Sequence, residues 1–301
     1  MKLLLTGAFK YSKEQLNKIE NLGFKIKVVQ DERIALDFDM SSIEVVVCNS
    51  LFLYNDIREF SSLKVIQLVS SGLDRIPLNY INDKGIEVFN ARGVYSIPMA
   101  EWVILKILEI YKKTTLFYKN QERHRWEKHR NLWELTDKTA SIIGYGDVGN
   151  EVAKRLKAFG VNIIGVGRRE IQSDYVDQSM LISELDIALA KSDIVVLTLP
   201  LNDKTKHLIN RNRMDIMKNN AVLINVARGG IIDETALVEM LSKGKFLGVA
   251  LDVFNEEPLD ESNPLWSLPS VIITPHNSFV SDKVNERMFR LIFENLSKVI
   301  N

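Results

Sequence analysis

Cysteine is nearly absent. The 301-residue chain has one, Cys48, so no intrachain disulfide can form and no Cys-x-x-Cys zinc site can be built. A reducing, cytoplasmic compartment is the expectation that follows. An excess of charge of either sign is also missing, because 39 Lys and Arg meet 39 Asp and Glu. Nucleic-acid binders carry a basic excess and membrane-surface proteins a polybasic stretch, so neither class is expected. No apolar run approaches the roughly 18 residues of a membrane span. Near the start, the leucines at 3–5 are too few for a signal-peptide core, and the polar Tyr11-Ser12-Lys13-Glu14 follows soon after. Glycine (15) and proline (7) are too scarce for a disordered chain. No solenoid repeat and no low-complexity tract is visible. What remains is an ordinary globular composition, 46% hydrophobic and 26% charged, long enough for about two domains.

Short apolar runs alternate with helical patterns. Strands are expected at 2–6, 24–29, 44–48, 64–69 and 86–89, then at 139–143, 161–166, 193–197, 221–225, 246–251 and 271–274. Most are rich in Val, Ile and Leu without polar alternation, as strands covered on both faces are. With helices between them, they predict two parallel sheets of an α/β chain. A long helix is expected over 99–120, with Val103, Ile107 and Ile110 at helical spacing. Residues 121–135, rich in Arg, His and Trp, read as a surface loop or as an arm over a neighbour. A final helix, with Ser281 as its expected N-cap, carries Val284, Met288, Leu291, Ile292, Leu296 and Val299 on one face.

The sharpest local signal is Gly144-Tyr-Gly146-Asp147-Val148-Gly149, which follows one expected strand, opens a helix and leads to the next strand. Gly144 permits a tight turn, Gly146 a close approach of backbone to pyrophosphate, and Gly149 close packing of helix on strand. The phosphate charge would meet the positive end of that helix. At the end of the second strand, NAD sites usually place a carboxylate. Here the chain reads Gly167-Arg168-Arg169-Glu170, with no acid before Glu170. Two guanidinium groups suit a 2′-phosphate, so NADP is expected over NAD. With Glu170 on the ribose instead, the arginines would only flank the adenine.

Three ionisable residues follow consecutive strands of the second series. Arg228 stands in Asn225-Val-Ala-Arg228-Gly229-Gly230, Glu257 in Asp252-Val-Phe-Asn-Glu256-Glu257-Pro258, and His276 in Thr274-Pro-His276-Asn-Ser278. Strand ends of open α/β sheets are where ligands bind. An arginine offers a planar, permanent charge for a carboxylate and a ketone oxygen. A histidine can deliver a proton near neutrality, and a glutamate beside it would orient it and favour its charged form. With a nicotinamide cofactor, such a set suits reduction of a 2-oxo acid.

Taken together these motifs resemble the D-isomer-specific 2-hydroxyacid dehydrogenases, nearest to the glyoxylate/hydroxypyruvate reductase-like branch. The resemblance implies that Arg228, Glu257 and His276 are catalytic. It implies cofactor contacts at Gly146, Asp147, Val148, Pro200, Thr205, Ala227 and Asp252, the last against the nicotinamide carboxamide. It likens Ser70-Ser71-Gly72-Leu73-Asp74 to a loop whose backbone N–H groups hold the substrate carboxylate, hence Ser71 and Gly72. It implies a Rossmann cofactor domain (99–275) inserted into a flavodoxin-like substrate domain (1–98 plus 276–301). It also implies a homodimer through the cofactor domains, with Trp133 as the arm residue that would reach a partner's site. Tyr95, Met99, Trp133 and Phe279 are candidates to shape the pocket. Two other readings stay open: a dinucleotide-sensing regulator on the same fold, and a dehydrogenase of another acid such as phosphite or 2-hydroxyisocaproate. No metal site is expected.

Overall fold

The computed structural model describes residues 1–300. Its chain divides into two units, one of Met1–Tyr95 with the segment from Ser281 onward, the other Ser96–Val280. The chain crosses between units after Tyr95 and after Val280, where the sequence suggested 98 and 275. His276 accordingly lies in the same unit as Arg228 and Glu257.

In the first unit the order runs β1 (Lys2–Thr6), α1 (Lys13–Glu20), β2 (Lys25–Val29), β3 (Val45–Cys48), α2 (Leu51–Tyr54), β4 (Val65–Leu68), α3 (Leu78–Lys84) and β5 (Glu87–Phe89). All five strands are parallel, in the order β2-β1-β3-β4-β5, which is the flavodoxin-like arrangement. Successive side chains serve opposite layers. Leu3, Leu5, Val45 and Val47 enter one apolar cluster, whereas Leu4, Val46 and Cys48 enter the other. Because both faces are covered, no polar alternation shows in the sequence. Ser12 starts α1 with a capping box, its Oγ accepting the Gln15 N–H while Gln15 Oε1 accepts the Ser12 N–H.

The second unit begins with α4 (Ser96–Tyr111) and α5 (Thr114–Glu122), followed by β6 (Thr139–Ile143), α6 (Asp147–Ala158), β7 (Asn162–Gly167), β8 (Gln178–Leu181), α7 (Leu185–Lys191) and β9 (Ile194–Leu197). Then come α8 (Arg211–Ile216), β10 (Ala221–Asn225), α9 (Glu234–Ser242), β11 (Phe246–Leu251) and β12 (Val271–Ile273). The seven strands are parallel in the order β12-β11-β10-β9-β6-β7-β8, a Rossmann sheet whose order reverses between β6 and β9. One face carries α4 and α6 over Ile142, Val196 and Ile224. The other buries Ile143, Leu197 and Leu223 with Leu189 of α7, Met214 of α8 and Leu237 of α9.

Each expected strand is present to within a residue at its ends. The sequence did not show β8, whose Gln178 and Ser179 are polar and whose place at the sheet edge needs cover on fewer sides. The helix expected over 99–120 is two helices. Lys113 adopts a left-handed φ of 51° and ends the first run. The final helix α10 spans Val284–Ile300 and packs Met288, Ile292 and Leu296 into the first unit's core. It starts three residues after Ser281, whose hydroxyl takes an Arg287 guanidinium N–H at 3.4 Å instead of capping a backbone N–H. No helix among the described residues is long and apolar enough to cross a membrane.

Candidate active site

The dinucleotide end is built at the reversal of strand order. Gly144 leaves β6 with φ 92°, and a Cβ there would lie 2.5 Å from Leu199 Cβ, so only glycine fits the turn. Its carbonyl accepts the Thr198 hydroxyl at 2.8 Å, joining the loops after β6 and β9. Gly146 is the N-cap of α6 and offers no capping side chain. A Cβ on it would meet nothing within 4 Å, so the helix N-terminus faces an open cradle. Asp147 and Val148 form the first turn. Gly149 is buried, its absent Cβ only 3.0 Å from Ile142 Cγ2, which lets the helix lie on the strand. This cradle fits a pyrophosphate: there is room, and backbone N–H groups with a helix dipole point into it.

At the end of β7, Gly167 bears no side chain, and Arg168, Arg169 and Glu170 are exposed. No carboxylate of the described residues pairs with either arginine. The segment that follows is held down. Ile171 N–H donates to Ser179 Oγ at 2.8 Å, and the Tyr145 hydroxyl lies 3.1 Å from Asn150 Oδ1 and 2.9 Å from Ser173 Oγ. Burial raises the Tyr145 phenol above its usual range. Beyond β9, Thr205 Oγ1 donates to the Pro200 carbonyl at 2.7 Å and accepts the Asn202 N–H, closing a compact loop.

The three candidate catalytic residues leave the carboxyl ends of β10, β11 and β12, which are neighbours in the sheet. After β10, the buried Asn225 folds the chain back on itself. Its Oδ1 accepts the Ala227 N–H at 3.0 Å and its Nδ2 donates to the Arg228 carbonyl at 2.9 Å. The half-buried Arg228 also donates from Nη1 to the Ala227 carbonyl. Gly229 packs directly on the backbone of Phe254 and Asn255, so the Arg228 loop and the Glu257 loop are in contact. Glu257 Oε1 accepts the Phe254 N–H at 3.0 Å, and Oε2 lies 2.8 Å from His276 Nδ1. About a third of each of these two side chains is exposed, 37% and 36%. A carboxylate beside Nδ1 fixes the proton on that nitrogen and leaves Nε2 for exchange. The Phe279 ring meets the imidazole edge-on at 5.9 Å between centroids.

Asp252, set by the resemblance against a cofactor amide, has no exposed surface. Its carboxylate is taken up by Thr274, Asn277 and Ser278. Ser71 and Gly72 follow β4 in the first unit. Asn90 Nδ2 donates to the Ser71 carbonyl at 2.9 Å, and Ser70 Oγ to that of Gly72 at 3.2 Å. Trp133 is not an exposed arm residue. It packs on Tyr111 with centroids 6.0 Å apart, and Lys138 Nζ stands 4.8 Å from its ring centre. The exposed tryptophan of the arm is Trp126, at 96%. Sequence reasoning gave Asn225 no role. Its signal was a lone amide ending a strand of Ala, Val, Leu and Ile.

Residues 104–278 match the family described as D-isomer specific 2-hydroxyacid dehydrogenase, NAD binding domain. The chain is 36% identical over 249 residues to a D-3-phosphoglycerate dehydrogenase of Methanocaldococcus jannaschii, an alignment covering 81% of this chain. It spans about half of that relative's length (47%). It is also 36% identical over 245 residues to a glyoxylate reductase of Thermofilum pendens, covering 79% of this chain and 72% of that one. A crystal structure of a glyoxylate reductase from Paecilomyes thermophila superposes with a TM-score of 0.88 at 26% identity, over 100% of this chain and 95% of that one. With the glycine cradle and the Arg–Glu–His strand ends in place, the chain belongs to the D-isomer-specific 2-hydroxyacid dehydrogenases.

Proposed function

We propose that the protein reduces a small 2-oxo acid of the glyoxylate or hydroxypyruvate type to the D-2-hydroxy acid, with NADPH as the preferred reductant. The observation that carries this reading is the His276–Glu257 pair at 2.8 Å beside the Arg228 loop, at the same sheet end as the glycine cradle. Gly144, Gly146, Asp147, Val148 and Gly149 would hold the pyrophosphate, with Pro200, Thr205 and Ala227 along the dinucleotide. When bound, the nicotinamide supplies the hydride. Arg228 grips the substrate carboxylate and draws electron density toward the ketone oxygen. His276 gives its Nε2 proton to that oxygen as charge develops, and Glu257, against Nδ1, keeps the ring oriented for that transfer. Every electron and proton is then placed: the carbonyl carbon gains hydride, its oxygen gains a proton, and the imidazole is left neutral.

The NADPH preference rests on the side-chain-free Gly167 and on Arg168 and Arg169, two exposed guanidinium groups with no carboxylate paired to them. Initial rates with NADPH and NADH across glyoxylate, hydroxypyruvate and pyruvate test the whole reading. The expected result is higher kcat/KM with NADPH, and a rise in KM of about tenfold or more for NADPH in Arg168→Ala with little change for NADH. Equal or better use of NADH would overturn the NADPH preference. No turnover of any 2-oxo acid would favour the dinucleotide-sensing alternative.

For assembly, a homodimer through the second unit is the accompanying proposal. The exposed apolar residues Leu105, Tyr118 and Trp126 support it, and light scattering on the purified protein tests it.

A further inference from the structure

We propose that Tyr145 is a positioning residue for cofactor choice: through Ser173 and Asn150 its hydroxyl fastens the loop that carries Arg168 and Arg169 to the glycine turn. The inference deepens the NADPH reading and rests on it. Tyr145 stands between Gly144 and Gly146, so its backbone belongs to the pyrophosphate cradle. Its side chain serves the loop after the neighbouring strand. The Tyr145 hydroxyl lies 3.1 Å from Asn150 Oδ1, on α6, and 2.9 Å from Ser173 Oγ, on the segment between β7 and β8. Ser173 Oγ is itself 3.2 Å from Asn150 Oδ1, and it accepts the Tyr175 N–H at 3.3 Å. Three polar side chains from three parts of the unit thus close one triangle, in which both hydroxyls can donate to the one amide oxygen. Burial holds the phenol above its usual range, in the protonated form that donates.

The arginine loop needs such a fastening. Between 168 and 174 only Ile171 and Ser173 turn inward, and the rest of the segment is exposed. Ile171 and the Tyr145 ring share one seat, Gly165. A Cβ on that glycine would stand 2.9 Å from Ile171 Cδ1 and 3.3 Å from Tyr145 Cδ2, so the missing side chain makes room for both. Ile171 N–H also donates to Ser179 Oγ on β8 at 2.8 Å. The loop is therefore pinned at 171 and 173, directly after the two arginines, and the pin at 173 is the one that reaches the cradle. A guanidinium whose backbone is already placed loses less freedom when it takes up a phosphate. The pyrophosphate and the 2′-phosphate of NADPH are attached to one ribose, so the spacing between cradle and arginines must match that ribose. Tyr145 sets the spacing, with its backbone in the cradle and its hydroxyl on the arginine loop.

The test is Tyr145→Phe, with Ser173→Ala beside it. The phenylalanine keeps the ring on Gly165 and deletes only the hydroxyl. By cofactor fluorescence without substrate, the dissociation constant for NADPH should rise about fivefold in Tyr145→Phe, and that for NADH should stay within about twofold of wild type. In a chain that already carries Arg168→Ala and Arg169→Ala the same change should add nothing, because the tyrosine acts through those arginines. A second readout needs no cofactor. Trypsin cuts after Arg168 and Arg169, and mass spectrometry of the fragments gives the rate at those two bonds alone. That rate follows how often the loop opens, and it should rise about fivefold or more in Tyr145→Phe and in Ser173→Ala. Unchanged cleavage in both variants would overturn the proposal, whichever cofactor the wild type prefers. So would an equal weakening of NADPH and NADH, which means a disturbed cradle, or a full effect of Tyr145→Phe in the chain without the arginines. Faster cleavage in a protein whose wild type prefers NADH would retire the cofactor reading and leave the fastening of the loop standing. If Tyr145→Phe does not fold, Ser173→Ala decides by the same two readouts.

Discussion

Gly229→Ala adds one methyl group to the most crowded point of the site. An ideal Cβ there stands 1.9 Å from the Phe254 carbonyl carbon, 2.2 Å from its oxygen and 2.4 Å from Asn255 N. These are all backbone atoms, and none can rotate aside. Ordinary contact begins near 3.4 Å, so the loops after β10 and β11 must part by more than an ångström. Overfilling a packed site costs about 1–3 kcal/mol. For a unit of this size that corresponds to a melting temperature lower by roughly 2–12 °C. The larger effect falls on chemistry. Arg228 is the residue before the glycine, and Glu257 is tied to Phe254 N–H at 3.0 Å, so the opening separates the arginine from the Glu257–His276 pair. A displacement of that size costs about 10²-fold in rate. The assay is kcat and KM with NADPH and glyoxylate, with calorimetry on the same samples. Gly230→Ala is the control, because its nearest neighbour, Leu201 Cδ2 at 3.1 Å, is the end of a flexible side chain. Its kcat should stay within about threefold of wild type. If Gly229→Ala kept kcat while its melting temperature fell, or if both alanines were equally harmful, contact between the two loops would not be what sets the catalytic geometry.

His276→Ala should lower kcat by about 10²-fold or more while NADPH binding, followed by fluorescence, is nearly kept. Arg228→Lys should not restore the activity lost in Arg228→Ala, since an ammonium group has no planar fork, and a lysine variant with near-normal kcat/KM would refute the bidentate grip. Tyr95 gives a pH prediction. Burial lifts its phenol from the usual 10 to about 12, and its hydroxyl donates to the Val69 carbonyl. The folded state thus holds that proton longer than the unfolded chain. The stability is present below about pH 10 and is lost as pH rises from there toward about 12. Urea midpoints across that window should fall less steeply in Tyr95→Phe, and parallel slopes would count against the assignment.

The strands were legible because burial on both faces leaves a plain signature. Val45-Val46-Val47 and Ala221-Val222-Leu223-Ile224 can hardly be anything but covered parallel strands. The dinucleotide cradle was legible for a similar reason. Its demands are local, and Gly144, Gly146 and Gly149 meet them within a single turn. Other features depend on partners far along the chain. Trp126 and Trp133 look alike within a basic arm, and only packing on Tyr111 and Lys138 distinguishes the second. Lys113 ends a helix without a glycine or proline to mark it.

Asp252 shows how much of a site lies outside its own stretch of chain. The family resemblance implies a contact between Asp252 and the cofactor amide. The neighbours of the Asp252 carboxylate within the chain lie 22 to 26 residues further on, at the end of a different strand. Glu257 and His276 are likewise 19 residues apart and become a pair only because β11 and β12 are adjacent and in register, Leu251 opposite Ile273. Spacing along the chain locates both loops at the correct sheet end. It does not show that the Asp252 carboxylate accepts hydrogen bonds from Thr274, Asn277 and Ser278, because that depends on how the loop after β12 folds back. His276 has a left-handed φ of 50°, and the N–H groups of the next two residues, Asn277 and Ser278, donate to the Asp252 carboxylate. A substitution that relaxes the turn at His276 should therefore disturb both the His276–Glu257 pair and the hydrogen bonds to Asp252.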